Sequence, residues 1–368
     1  MELEKNKVKY LLKYNIVFDA FGTSIFSLGI GYYNHEYLIL EVSDVLLTMG
    51  ISVIVGTSMS YFSSALCDYI GAKKSLIFIQ ILQLLTCFLI LVRPFEQLTL
   101  FFIFIYFVLG RMLSPIRGTL PPAYLSKDTL IKFKASVRSS TLIAVSISSG
   151  IIWLTVTTFE NVWDGFSIVF ILLDLVTFFV CLILTILLPT VKVKNPPKKP
   201  FSIVNLGKFG NLLWILFLIG FAISGICGAT IPFQLPLLEK YGSMILILDF
   251  ILGIVIAKIS EFIVKKYEKY FSINHIMNSV LLSLMLSILS ATIIYVSIIQ
   301  SELNIKIYLL IISMILSEIS LTVLSINLWN AQYEYGNEDR RGAVVGFYSM
   351  SSSYGSSLSP ILAAKLFN

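Results

Sequence analysis

The chain has 368 residues, 57% of them apolar and 13% charged, with a mean hydropathy of +0.88 and a formal net charge of +6. Soluble domains carry about half apolar and a quarter charged residues, so this composition excludes a water-soluble globular protein. The net charge does not imply nucleic-acid binding, and four scattered cysteines with two histidines offer no metal-ligand spacing, so neither metal nor cofactor is expected.

Apolar runs recur at roughly 14–32, 44–66, 75–92, 98–116, 138–158, 165–188, 211–237, 243–263, 273–299, 307–329 and 342–366. Each is long enough, at about 1.5 Å per residue, to cross about 30 Å of hydrocarbon. Only helix bundles and closed barrels satisfy every backbone group in lipid, and these runs are twice strand length. The predicted fold is therefore an all-α membrane bundle of about eleven transmembrane helices. The first run follows a Lys-rich stretch without a small-residue cleavage site, which predicts a retained helix rather than a removed leader.

Basic residues fix the expected orientation. With the N-terminus inside, twenty-one Lys and Arg residues fall on the cytoplasmic side and three (Arg93, Lys240 and Lys306) on the outer side. Cytoplasmic loops carry such an excess, so a multi-pass protein of the cell membrane with a cytoplasmic N-terminus is predicted. The most polar internal stretch, 190–210, holds Pro196, Pro197 and Pro200 among five lysines and reads as a basic cytoplasmic linker. It divides the chain into a six-helix half, 1–189, and a five-helix half, 211–368.

A repeat relates the halves. The loop after the second run reads Ser64-Ala-Leu-Cys-Asp68-Tyr-Ile-Gly71-Ala-Lys73-Lys74, and the eighth run ends Ala257-Lys-Ile-Ser-Glu261-Phe-Ile-Val-Lys265-Lys266, displaced by 193 residues. In both, an acid closes a helix and a basic pair follows. Half-to-half repetition is common in secondary transporters. The first loop resembles the signature loop of the major facilitator superfamily, G-x-L-a-D-r-x-G-r-k, at Leu66, Asp68, Gly71 and Lys73, and departs from it at Ser64, Tyr69 and Ala72. Gly110-Arg111 in the fourth run and Arg341-Gly342-Ala343 before the last resemble the family layout. The resemblance implies a two-half helix bundle and a conformational-switch loop made by Asp68, Gly71, Lys73 and Lys74, with Glu261, Lys265 and Lys266 as its counterpart. It also implies a monomer in the lipid bilayer that binds a small-molecule substrate and protons. Eleven spans leave the C-terminus outside, one span short of the family's twelve.

Charges inside a membrane are costly, so each is a functional candidate. Asp19 and Arg111 fall at one depth, about six residues from the cytoplasmic end of their spans, and could pair. By resemblance to proton-driven exporters, Asp19 would exchange the proton and Arg111 would tune it; a permanent structural ion pair is the alternative. Glu318 and Asp174 lie near mid-membrane and are expected along the substrate path. Asn327 and Trp329 are expected at a polar vestibule, and Gln234, between Pro232 and Pro236, at a broken helix. The small residues Gly346, Gly355, Ser359, Ala363 and Ala364 of the last run resemble an antiporter motif that belongs in the fifth span, and ordinary close helix packing is the better explanation.

No nucleophile, base and orienting group occur together, so an enzyme is not expected. The reading is proton-coupled efflux of a small amphipathic molecule, drug or peptide. The alternatives are uptake of a sugar or organic anion, and a non-transporting sensor or inactive paralogue.

Overall fold

The computed structural model describes residues 2–38, 42–93, 98–159, 165–191, 210–228, 243–266, 276–300, 302–335 and 341–366. Most of the expected linker and Gln234 lie outside them. Among the described residues there are eleven long helices: α1 (Glu2–Tyr33), α2 (Val42–Ile70), α3 (Ala72–Val92), α4 (Thr99–Thr119), α5 (Lys127–Phe159), α6 (Ile168–Leu187), α7 (Gly210–Gly228), α8 (Ser243–Lys266), α9 (Ile276–Ile299), α10 (Leu303–Tyr335) and α11 (Arg341–Leu366). No strand occurs among the described residues. Eight of the helices are long and apolar enough to cross a membrane by themselves; in α7 the apolar stretch is shorter, Trp214–Cys227.

Several helices outrun the apolar runs that announced them. The helix α1 begins at Glu2, α5 at Lys127, and α10 continues to Tyr335. Intrahelical hydrogen bonds carry on past the hydrocarbon edge wherever nothing breaks them, so hydropathy marks the membrane and not the helix. The breaks that do occur have local causes. Gly71 adopts φ +94 between α2 and α3, a conformation that side chains rarely tolerate, and so turns the chain in a single residue. Leu188 turns extended ahead of Pro189 and ends α6.

The helices α1 to α6 pack on one another around a core that includes Phe26, Tyr33, Ile79, Tyr106, Ile116 and Phe178. The helices α7, α9, α10 and α11 share a smaller core of Leu216, Phe217, Val280, Leu324 and Val344. Outward-facing positions such as Phe78, Leu85, Phe88, Val176 and Phe179 are large, apolar and exposed, as a lipid-facing surface requires. The interior holds many small polar groups instead. Along α9 and α10, Ser283 meets Ser320, and Ser290 meets Ser313 and Ser317, at 2.9–3.0 Å between hydroxyls. With no hydrophobic drive between helices in lipid, such hydrogen bonds and close backbone approach provide the association.

The two groups of helices meet chiefly along two seams, α2 with α11 and α5 with α8. Both seams rest on glycine. A Cβ at Gly346 would lie 3.0 Å from Ser60 O and Tyr61 Cα and would overlap the Ser64 hydroxyl; one at Gly253 would overlap the Ser146 hydroxyl. The described glycines of the α11 ladder, Gly346 and Gly355, thus form a packing surface. Gly346→Leu must push α11 off α2, and overpacking of this kind costs about 1–3 kcal/mol. The purified variant should melt several degrees below the wild type in detergent, whereas an unchanged midpoint would show the seam to be slack.

Candidate functional site

The loop between α2 and α3 joins three helix ends. Asp68 accepts hydrogen bonds from the backbone N–H groups of Gly342 (2.7 Å) and Ala343 (3.0 Å), the open start of α11. Lys73 Nζ donates to the Ile186 and Leu188 carbonyls at the end of α6, the first at 2.9 Å. An anion at a helix N-terminus and a cation at a C-terminus each oppose the local dipole and satisfy backbone groups the helix leaves unpaired. Gly71 supplies the turn that lets one short loop reach both, and Lys74 is exposed. In the second half, Glu261 accepts a hydrogen bond from Ser139 of α5 at 3.1 Å, while Lys258 lies 3.7 Å from its carboxylate. Lys266 sits over the Phe262 ring at 5.4 Å, and the side chain of Lys265 lies outside the described ones. Each repeated acid therefore reaches across to the other group of helices, Asp68 from α2 to α11 and Glu261 from α8 to α5.

Asp19 forms an ion pair, but its partner is Arg117 and not Arg111. The expected pairing assumed that the fourth helix ends near residue 116. It continues to Thr119 and into the one-turn helix Pro121–Tyr124, while α1 starts a dozen residues early, so Arg117 is the cation at Asp19's depth. Arg117 is 5% exposed. Its Nε donates to Asn15 Oδ1 at 3.1 Å; Asn15 Nδ2 donates to Thr185 Oγ1 (2.8 Å) and the Cys181 carbonyl (2.7 Å), and Thr185 Oγ1 donates to Gln80 Oε1 at 2.8 Å. Asn15 and Asp19 are four residues apart on one face of α1, so both reach the same guanidinium. That spacing was the available signal for Arg117. Arg111 is exposed on α4 and makes no ion pair among the described residues.

Two atoms of this pair are buried without a hydrogen-bond partner, Asp19 Oδ1 and Arg117 Nη2. Both residues line a cavity of about 170 Å³ together with Ile16, Ser114, Phe133 and Lys134. One turn along α5 from Lys134, Arg138 Nη2 pairs with Glu318 of α10 at 2.8 Å, and both side chains are partly exposed. A continuous set of charges therefore runs from α1 and α4 across α5 to the other half.

Asp174 does not lie on this path. It is wholly buried in α6, where Tyr106 Oη donates to its Oδ2 at 2.7 Å and Cys87 Sγ approaches to 3.6 Å. Asn327 is also buried, with Nδ2 on the Val323 carbonyl at 2.8 Å, and so forms no vestibule here. Trp329 belongs to α10, but its side chain is not among the described ones.

A helix bundle with two glycine-lined seams, a charged interior and an α2–α3 loop bound to helix ends agrees with the Major Facilitator Superfamily model, which matches residues 15–360. The chain belongs to the Major Facilitator Superfamily. None of the curated proteins compared matches it by sequence. Solved structures similar to this superfamily member include a human organic anion transporter, 11% identical, with 99% of this chain and 94% of that one covered at a TM-score of 0.69. A bacterial homologue of the iron transporter ferroportin in an outward-facing state is 16% identical, with coverages of 98% and 93% and a TM-score of 0.69. A proton:xylose symporter is 12% identical, with coverages of 99% and 90% and a TM-score of 0.66. At these identities the likeness establishes the fold, and with the family it establishes a transporter of the secondary class.

Removing one member of a buried ion pair strands the other, at a cost of about 3–5 kcal/mol, whereas replacing both by apolar groups of similar volume is often neutral. Arg117→Ala should therefore depress the melting midpoint sharply, and the double variant Asp19→Leu/Arg117→Met should recover most of the loss. A double variant as unstable as the single one would show that the network around Asn15, and not the pair, carries the stability.

Proposed function

We propose that this protein is a proton-coupled exporter of small amphipathic molecules, drugs or peptides, acting as a monomer in the cell membrane with its N-terminus in the cytoplasm. The observation that carries this reading is the Asp19–Arg117 pair, each partner keeping one unsatisfied polar atom beside a cavity in the membrane-spanning part of the bundle. A carboxylate held by a fixed cation can give up that partner when it takes a proton and regain it when the proton leaves. Arg117, released for part of the cycle, can then bind substrate. Arg111, one and a half turns further along α4, adds positive potential to the same path.

The contacts Asp68–α11, Ser139–Glu261 and Arg138–Glu318 all join the two halves. Asp68 and Glu261 belong to helix ends on the face where α1 starts, the cytoplasmic face in this reading, which the excess of basic residues there supports. With those contacts made, the cytoplasmic side is closed. Breaking and remaking them as the halves rock would expose the site to each side in turn.

Uptake is the second reading, and the similar structures favour giving it a test, because they include a nucleoside transporter and a proton:xylose symporter. Direction is decided in membrane vesicles of both orientations, with lipophilic cations, short peptides and sugars as probes. Export predicts that inside-out vesicles with an acidic lumen accumulate a probe, that a protonophore abolishes this, and that Asp19→Asn, folded by its melting curve, accumulates at least tenfold less. Accumulation by right-side-out vesicles alone would establish uptake. Full gradient dependence in Asp19→Asn would remove Asp19 from the coupling.

A further inference from the structure

Arg111 stands at the middle of the stretch Thr99–Tyr124, which is long and apolar enough to cross the membrane. Its side chain is exposed, and none of its N–H donors has an acceptor among the described residues. A guanidinium facing lipid at that depth is costly, and either edge of the hydrocarbon is about 15 Å away, beyond the reach of a snorkelling side chain. The exposed face must therefore open on water between helices. Two neighbours agree with this. A Cβ at Gly56 of α2 would lie 2.8 Å from Arg111 Cβ, so the side chain starts against the helix that forms the seam with α11. Ser114, on the next turn of the same face of α4, lines the internal cavity beside Asp19 and Arg117.

Three acids read as intramembrane are already engaged. Asp19 is held by Arg117, Glu318 by Arg138 and Asp174 by Tyr106, so none of them supplies Arg111 with a counter-ion. We propose that Arg111 anchors the anionic end of the transported solute, a small organic monocarboxylate with an apolar body. This rests on the transporter reading above only for movement of the solute; its binding stands apart from transport. A guanidinium with its N–H groups open offers two parallel hydrogen bonds to a carboxylate, a fit that an amide or an amine lacks. The charge count is one to one. Arg117, the next cation along α4, is committed to Asp19 and Asn15, so a dianion would leave one of its charges unmatched. Phe107 and Phe104, one and two turns toward the Thr99 end of α4 on the same face, are partly buried and leave ring surface for the apolar body.

The test uses the full chain in lipid nanodiscs with benzoate, benzamide, benzylamine and phenyl phosphate, read by calorimetry and by shift of the melting midpoint. Benzoate should bind best, with benzamide and benzylamine at least about tenfold weaker and phenyl phosphate no tighter. Arg111 is exposed and unpaired, so Arg111→Gln and Arg111→Glu should keep the wild-type melting midpoint. The first should weaken benzoate about tenfold or more and leave benzamide unchanged, and the second should bring benzylamine above benzoate. Access to water is read separately, with the four buried native cysteines replaced. Arg111→Cys should then react with a charged, membrane-impermeant thiol reagent, and Val176→Cys on the outward, apolar surface should not. An unreactive Arg111→Cys, a benzoate affinity unmoved by Arg111→Gln, or phenyl phosphate binding tighter than benzoate would each overturn the proposal. So would a folded wild type that binds none of the probes. Binding in the expected order with no movement of benzoate in vesicles of either orientation would overturn the transporter reading and leave the site intact. Transport of another solute that neither benzoate nor Arg111→Gln alters would do the reverse.

Discussion

A carboxylate and a guanidinium inside a bilayer have few ways to be stable, and the way this chain uses organises one half of the molecule. A charged side chain at the centre of a helix in lipid costs about 2.5–3.5 kcal/mol on insertion scales, so Asp19 and Arg117 demand each other. Meeting that demand fixes the depth of α1 against α4. Asn15 then fills the second edge of the guanidinium, and its own amide is held by Thr185 and the Cys181 carbonyl on α6. Thr185 in turn reaches Gln80 on α3. Four helices are thus registered by one chain of polar contacts, and apolar packing around Tyr106 and Phe178 fills the remaining space.

Between the halves the forces differ in kind. Close approach at Gly346 and Gly253 gives long helix-on-helix seams with little to distinguish one tilt from another. Directional contacts also cross between them, Asp68 at the start of α11, Ser139 on Glu261 and Arg138 on Glu318, and on the proposed reading these hold the closed position. Each consists of one or two hydrogen bonds or an ion pair, and the Arg138–Glu318 pair is partly exposed, so the latches are few and exchangeable. A rigid half and a weakly latched interface together are what a rocking transporter needs.

Much of this was legible in the sequence, and the failures have physical causes. Hydropathy located every long helix because lipid requires apolar length. It placed the helix ends badly, because α1, α5 and α10 extend past the hydrocarbon where hydropathy has nothing to report. That error propagated: Arg117 was counted as a loop residue, and Asp19 was assigned the wrong arginine. The repeat of Asp68 and Glu261 was readable, since an acid and a basic pair at a helix end recur 193 residues apart, and both acids do reach across the seams. What each acid touches was not readable for Glu261, because its partner Ser139 is one of many serines on α5. Asp174 looked like a path residue because an isolated acid in an apolar run gives no sign of its partner. Tyr106 is that partner, 68 residues away on α4, and only the packing of α6 against the rest of its half brings the two together.

The central claim is that the face carrying the N-terminus is held closed by contacts that are made and broken during transport. Spin labels at Lys74→Cys and Lys266→Cys, exposed sites on opposite halves at that face, report it by distance measurement in nanodiscs, with the four buried native cysteines replaced. Two distance populations are predicted, with Asp68→Ala shifting weight to the longer one. A single distance, unchanged by Asp68→Ala and by an imposed pH difference, would contradict the account.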